Sequence, residues 1–240
     1  MSYDVVLLDP AWSYNNKQNG SADKHYATIS VSDLARMPCF RDGTIAEDAL
    51  VFCWITTPFL HHLWSSDARG FRGEGLLDHW RARYVTSLYW HKAPAREDVF
   101  RVGYERGYDD GDYQKGALKD AAESATAYMP KTPLGTGYWF RGEVEQLVVA
   151  VRGSFPALRS SRRNHVTHPP LKHSEKPAVF HDLIEAAILE AQRKKRLGPV
   201  SKLELFARRA RLGWRCEGLE LTGHDHRTPL AAPLKSFYLL

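Results

Sequence analysis

Cysteine is scarce in this sequence. Three residues in 240, Cys39, Cys53 and Cys216, are too few and too scattered for a disulfide framework or a closed zinc site, and they are expected to be reduced thiols. No apolar run reaches 18 residues, and Met1 is followed at once by Ser2, Tyr3 and Asp4. Neither a membrane span nor a signal peptide is expected, which predicts a soluble, cytoplasmic protein. The chain has no internal repeat, no low-complexity tract beyond the basic cluster Arg193 to Arg196, no Gly-x-Gly-x-x-Gly loop and no nucleophile elbow for Ser-His-Asp catalysis. His61 with His62, His165 with His168, and His224 with His226 lack convergent carboxylates or cysteines at zinc spacing, so no metal ligand is assigned.

What the chain does have is the composition of a globular domain, 43% hydrophobic with 17 glycines. Its formal charge of +5 is unevenly spread. From Arg152 to Lys176 six basic residues face Glu175 alone, and from Gln192 to Arg215 nine face Glu204 alone. Two such stretches suit a polyanion such as nucleic acid, with ordinary solvated surface as the other reading.

Apolar runs alternate with amphipathic ones. Tyr3 to Leu8, Leu50 to Ile55, Tyr84 to Trp90, Glu145 to Val151 and Lys202 to Ala207 read as strands, and a shorter one can follow Trp214. Ser30 or Ser32 can cap a short helix through Met37. After Pro177, Val179, Phe180, Leu183, Ile184, Ala187 and Ile188 follow the helical period, with His181, Asp182 and Glu185 on the opposite face. The alternation predicts an α/β fold with a mostly parallel, doubly wound sheet, whose ligands bind beyond the carboxyl ends of the strands. Residues 1–240 are read as one domain, with an insertion at about 93–132, rich in Gly, Asp and Tyr, and a tail at about 222–240.

Directly after the first strand stands Asp9-Pro10-Ala11-Trp12. An aromatic amine is a poor nucleophile because its lone pair is delocalised into the ring. A carboxylate and a fixed backbone carbonyl, here Asp9 and Pro10, can accept its two N–H groups and stabilise the positive charge that develops on nitrogen. Trp12 can supply a stacking face for the base. Alone the tetrapeptide is also common turn chemistry.

Together with other segments, the tetrapeptide resembles a family. The N6-adenine methyltransferases, which include the catalytic subunit of the messenger-RNA adenosine methyltransferase and many bacterial and phage DNA adenine methyltransferases, carry Asp-Pro-Pro-Trp. Here Lys24 to Ser30, Phe52 to Pro58, Tyr84 to Lys92, Gly137 to Arg141 with Glu145 and Arg152-Gly153, His173 to Pro177, and Glu204 to Arg208 with Gly213-Trp214 follow in the family's order.

The resemblance implies a Rossmann-like methyltransferase fold that uses S-adenosylmethionine, with the catalytic motif ahead of the main cofactor strand. Carried over by position, Asp9, Pro10 and Trp12 hold the target adenine, and Asp9 also lies near the cofactor. Tyr26 sits in a loop over the site, Arg208 contacts the cofactor ribose, and Lys176 and Glu145 belong to the pocket. The sulfonium is a good leaving group, so positioning governs the transfer. The basic loop at Arg159, Arg162 and Arg163 is expected to hold phosphates of the partner, DNA rather than RNA for so compact a domain, with no membrane partner. Two positions depart from the pattern: Ala11 replaces the second proline, and Leu219 stands where the family usually has asparagine. They leave open a nucleic-acid-binding relative without turnover.

Overall fold

The computed structural model describes residues 2–12, 28–64, 74–92, 142–171 and 175–218. The expected insertion at 93–132 and tail at 222–240 lie outside the described residues.

The most apolar run sets the centre. In β1 (Tyr3–Leu8), Val5 to Leu8 are shut off from solvent, as a strand covered on both faces must be. Parallel neighbours flank it, β2 (Ile45–Ile55) on one side and β6 (Lys202–Leu205) on the other. With β3 (Ala82–His91), β4 (Val144–Arg152), β5 (His165–Thr167) and β7 (Arg215–Glu217) they form one seven-stranded sheet of order β5-β3-β4-β2-β1-β6-β7. Pairing is parallel except at β4, which runs antiparallel to both β2 and β3. That reversal puts the start of β4, with Glu145, at the same edge as the ends of β1 and β3.

Helices cover both faces. On one, α1 (Val31–Ala35) and α2 (Leu76–His79), with the 3-10 segments Pro38–Phe40 and Thr57–Leu63, pack Leu34, Phe40, Leu63 and Trp80 against Val6, Leu8, Val51 and Cys53. Ser30 is the cap of α1, its hydroxyl accepting the Asp33 N–H at 3.0 Å, and the helix ends at Ala35, short of Met37. On the other face, α3 (Val179–Arg193) buries Phe180, Ile184 and Ile188 against Val5, Leu7, Phe52 and Trp54. The architecture is the α/β Rossmann-like one, with helical layers on both faces of the sheet.

Two local readings are corrected. His181 does not lie on the solvent face of α3. It is 5% exposed and hydrogen-bonded to Glu204, because a polar side chain can enter the core side once a buried partner receives it. And β6 ends at Leu205 because Phe206 adopts φ 64°, which extended backbone does not permit. No helix among the described residues is long and apolar enough to cross a membrane.

A candidate active site at the carboxyl edge of the sheet

The crossover from β1 to β2 passes on the α1 side and the one into β6 on the α3 side, so the sheet's winding reverses between β1 and β6. Beyond such a reversal the two connections diverge and leave a crevice. Asp9, the first residue past β1, donates its N–H to the Leu205 carbonyl at 3.4 Å and so stands at this crevice. Asp9, Trp54, Lys176, His181, Glu204, Phe206, Arg208 and Arg211, with Glu175 and Arg209, line a cleft there that is open to solvent on one side.

An alternating chain of charges runs along the edge. The Lys176 ammonium is 2.9 Å from Asp9 Oδ1 and 3.5 Å from Glu145 Oε2, and Lys92 closes the row on Glu145 Oε1. Lys176 comes from the segment before α3, Glu145 from the start of β4 and Lys92 from just past β3, so three connections converge on the carboxylate at the end of β1. Lys176 also lies 5.5 Å from the centre of the Trp54 ring. Burial works against every charge here, and the partners decide the outcome. For Glu145 burial is the largest single influence and pushes its carboxyl up, but Lys176 and Lys92 together outweigh it and hold the group below its ordinary value. For Lys176 burial pulls the ammonium down, and Asp9 with Glu145 turns the balance upward. For Asp9 burial prevails over Lys176 and Arg208, and its carboxyl lies above the ordinary value.

Of the residues singled out from the sequence, Asp9, Lys176 and Arg208 meet in the cleft. Glu145 reaches it only through Lys176, as an anchor behind the wall. Pro10 is buried. Trp12 turns into the core beneath the cleft: it is 5% exposed, one face stacks on Phe59 at 5.0 Å, and its indole N–H donates to the Trp54 carbonyl at 3.2 Å. In this arrangement the ring fastens the Asp9-Pro10 turn to the end of β2 and does not form part of the cleft wall. The turn is tied a second time, by the Ile29 N–H on the Ala11 carbonyl at 2.9 Å. Arg159, Arg162 and Arg163 are exposed on the loop between β4 and β5 and are not among the residues that line the cleft. Tyr26, Gly137 to Arg141, His173, Ser174 and Leu219 lie outside the described residues.

The sequence reading missed the far wall. Glu204, 8% exposed, accepts from or pairs with His181 Nε2 at 3.0 Å and faces Arg211 Nε at 3.5 Å. Its signals were to be the sole acid in a strongly basic stretch and to open the segment Glu204 to Arg208. Two buried polar atoms of this wall, His181 Nδ1 and Arg211 Nε, have no hydrogen-bond partner among the described residues. Phe206, bulky and left-handed, also lines the cleft, and strain of this kind gathers where a ligand is received. Gly218 makes the bend possible, since a Cβ there would collide with the Ala207 carbonyl. Three carboxylates, an ammonium and several guanidinium groups around one small cleft match a zwitterionic, hydroxyl-bearing cationic cofactor: carboxylates for ammonium and diol, cations for a carboxylate. S-adenosylmethionine has those groups, so the residues present fit it.

The MT-A70 family profile matches residues 3–107 and 123–220, and the stretch it skips falls inside the insertion expected at 93–132. No curated protein sequence matches the chain.

Proposed function

The chain belongs to the MT-A70 family of S-adenosylmethionine-dependent adenine-N6 methyltransferases, and from that premise we propose that it methylates N6 of adenine in DNA, with Asp9 at the reacting amine. The observation that supports this most is the Asp9–Lys176 pair at 2.9 Å in the crevice between β1 and β6. Bound S-adenosylmethionine supplies a methyl group on a sulfonium.

The protein's own groups do the rest. Asp9 and the Pro10 carbonyl accept the two N6 hydrogens, which turns the nitrogen lone pair toward the methyl carbon. As the N–C bond forms and the C–S bond breaks, N6 must lose a proton. A carboxylate raised by burial is a stronger base for it than an exposed one. Lys176 fixes the rotamer of Asp9, Glu145 fixes Lys176, and Trp12 holds the turn from below. Arg208 and Glu204 serve the cofactor, Tyr26 the base, and Arg159, Arg162 and Arg163 the phosphates. In duplex DNA the base must leave the stack at a cost of a few kcal/mol, which phosphate contacts offset.

The test incubates the purified chain with methyl-labelled cofactor and with DNA or RNA of one adenine-containing sequence. Label in DNA adenine is expected. Label in RNA alone would move the substrate to RNA, and cofactor binding without label in either would leave a nucleic-acid-binding relative.

A further inference from the structure

The cleft uses the charged residues at the head of α3 and leaves those at its foot without a role. From Val179 to Glu190 the helix advances about 16 Å at 1.5 Å per residue. Near its end, two basic stretches that are far apart in sequence meet. The Glu190 carboxylate pairs with Lys194 at 2.6 Å, and that bond, with smaller contributions from Ser161 and Arg162 of the β4–β5 loop, holds it below its ordinary value. The loop between β4 and β5 is firmly mounted there. Phe155 and Leu158 pack into the core under α3, the Tyr89 N–H donates to the Asn164 carbonyl at 2.7 Å, and the Asn164 amide donates to the Ser87 carbonyl at 3.2 Å. Arg159, Arg162 and Arg163 therefore share one surface with Arg193, Lys194, Lys195 and Arg196, and all seven are exposed. Within these two segments Glu190 is the sole acid, and Lys194 already balances it.

We propose that this surface is a second nucleic-acid contact, which grips the phosphate backbone of the molecule whose adenine enters the cleft. For a duplex that runs along α3, 16 Å corresponds to about five base pairs at about 3.4 Å per base pair. Guanidinium groups suit phosphate oxygens, and contacts of this kind position a duplex without reading its sequence. A duplex long enough to span cleft and patch gains affinity over one that reaches only one of them. The placement of the target base rests on the methyltransferase reading, whereas the patch's own binding does not.

The test measures binding of labelled adenine-containing duplexes of about 8 and about 24 base pairs to the wild-type chain and to the triple variant Arg193→Glu, Lys195→Glu, Arg196→Glu. The wild type should favour the long duplex, and the variant should lose that preference by on the order of tenfold, with its salt dependence on the long duplex flattened by about 2 to 3 in log–log slope. S-adenosylmethionine affinity, read by calorimetry, should be the same in both, which shows that the variant folds. A long-to-short affinity ratio equal in variant and wild type overturns the proposal. If the wild type transfers no methyl group, the methyltransferase reading fails, and the ratio still decides whether the patch binds.

Discussion

The two ends of α3 carry the same residue types under opposite physics. At its head Lys176 is nearly buried, 11% exposed, between Asp9 and Glu145, and Lys92 extends the row. At its foot Arg193 to Arg196 stand in solvent. Buried charges have given up hydration and depend on their partners, so one substitution is costly and salt matters little. Exposed charges are screened and act in numbers, so single substitutions are mild and salt matters a great deal. The head can therefore hold a few atoms in register for chemistry, whereas the foot suits a long partner held by summed charge.

Substitutions at the head should have the largest effects. Lys176→Met leaves Asp9 and Glu145 facing each other without their shared cation. It should cost about 3 kcal/mol in stability, as removal of one member of a buried pair does, and it should impair methyl transfer by misplacing Asp9. Urea unfolding and the rate at saturating cofactor measure the two losses separately. The Lys176 ammonium is raised in the folded state, so its contribution is complete below the ordinary lysine value of 10.5 and disappears only as pH climbs through the raised one. The deficit of the variant should accordingly persist at neutral pH and narrow in alkali.

Glu145→Gln is the next smaller perturbation, because the amide oxygen still accepts from one of the two lysines, although its NH2 group turns a donor toward the other and the charge is lost. A loss of about 1 to 2 kcal/mol is expected at neutral pH. The carboxyl is held below its ordinary value of 4.5, so its stabilisation is complete above that value and fades as pH falls through the depressed one. Unfolding curves between about pH 3 and 7 should show wild type and variant converging at the acid end. Asp9 has the opposite sign, being raised by burial, and acid relieves its cost. A gap that widens on acidification would contradict the assignment at Glu145.

Salt sharpens the contrast without any mutation. Between about 50 and 200 mM salt, affinity for a long duplex should fall by on the order of 1000-fold if six or more phosphates are held, while cofactor affinity should hardly move. Parallel titrations of the two ligands would show it, and equal slopes would erase the distinction between head and foot.

The strands were legible because fully buried strands are apolar along their whole length, as in Val5 to Leu8 and Leu147 to Val151. Direction was not, since an apolar run states burial and says nothing of polarity, and β4 reads the same either way. β2 starts five residues before its expected beginning because Ile45 to Ala49 carry Glu47 and Asp48 on the exposed side while pairing continues with Tyr3 and Arg152. β5 has three residues and α2 four, too few for any period. In the site, Asp9, Lys176 and Arg208 could be located because each lies beside a strand end or within a motif. Glu204 and His181 could not: each looks like a solvated charge or helix-surface histidine until the fold sets them 3.0 Å apart. Trp12 illustrates the converse, since the residue type suggests a stacking platform for the base and the fold adds what it did not show, that one of its faces packs on Phe59.

The smallest effect is expected at Ala11. Its carbonyl is already held by Ile29, so the turn is braced without the proline that relatives carry. Ala11→Pro should preserve folding, leave the rate equal or higher, and add up to about 1 kcal/mol of stability through a stiffer unfolded chain. Thermal unfolding alongside initial rates reads both, and loss of folding together with cofactor binding would mean that this turn differs from that of the family.

The central claim is that Asp9, held by Lys176 at the end of β1, is the group that acts on the adenine amine. Mass spectrometry of nucleosides released from DNA after incubation with S-adenosylmethionine and either wild-type chain or Asp9→Ala tests it directly. N6-methyldeoxyadenosine is expected with the wild type, and a yield lower by about 100-fold or more with the variant, which still folds. Equal yields from the two proteins would contradict it.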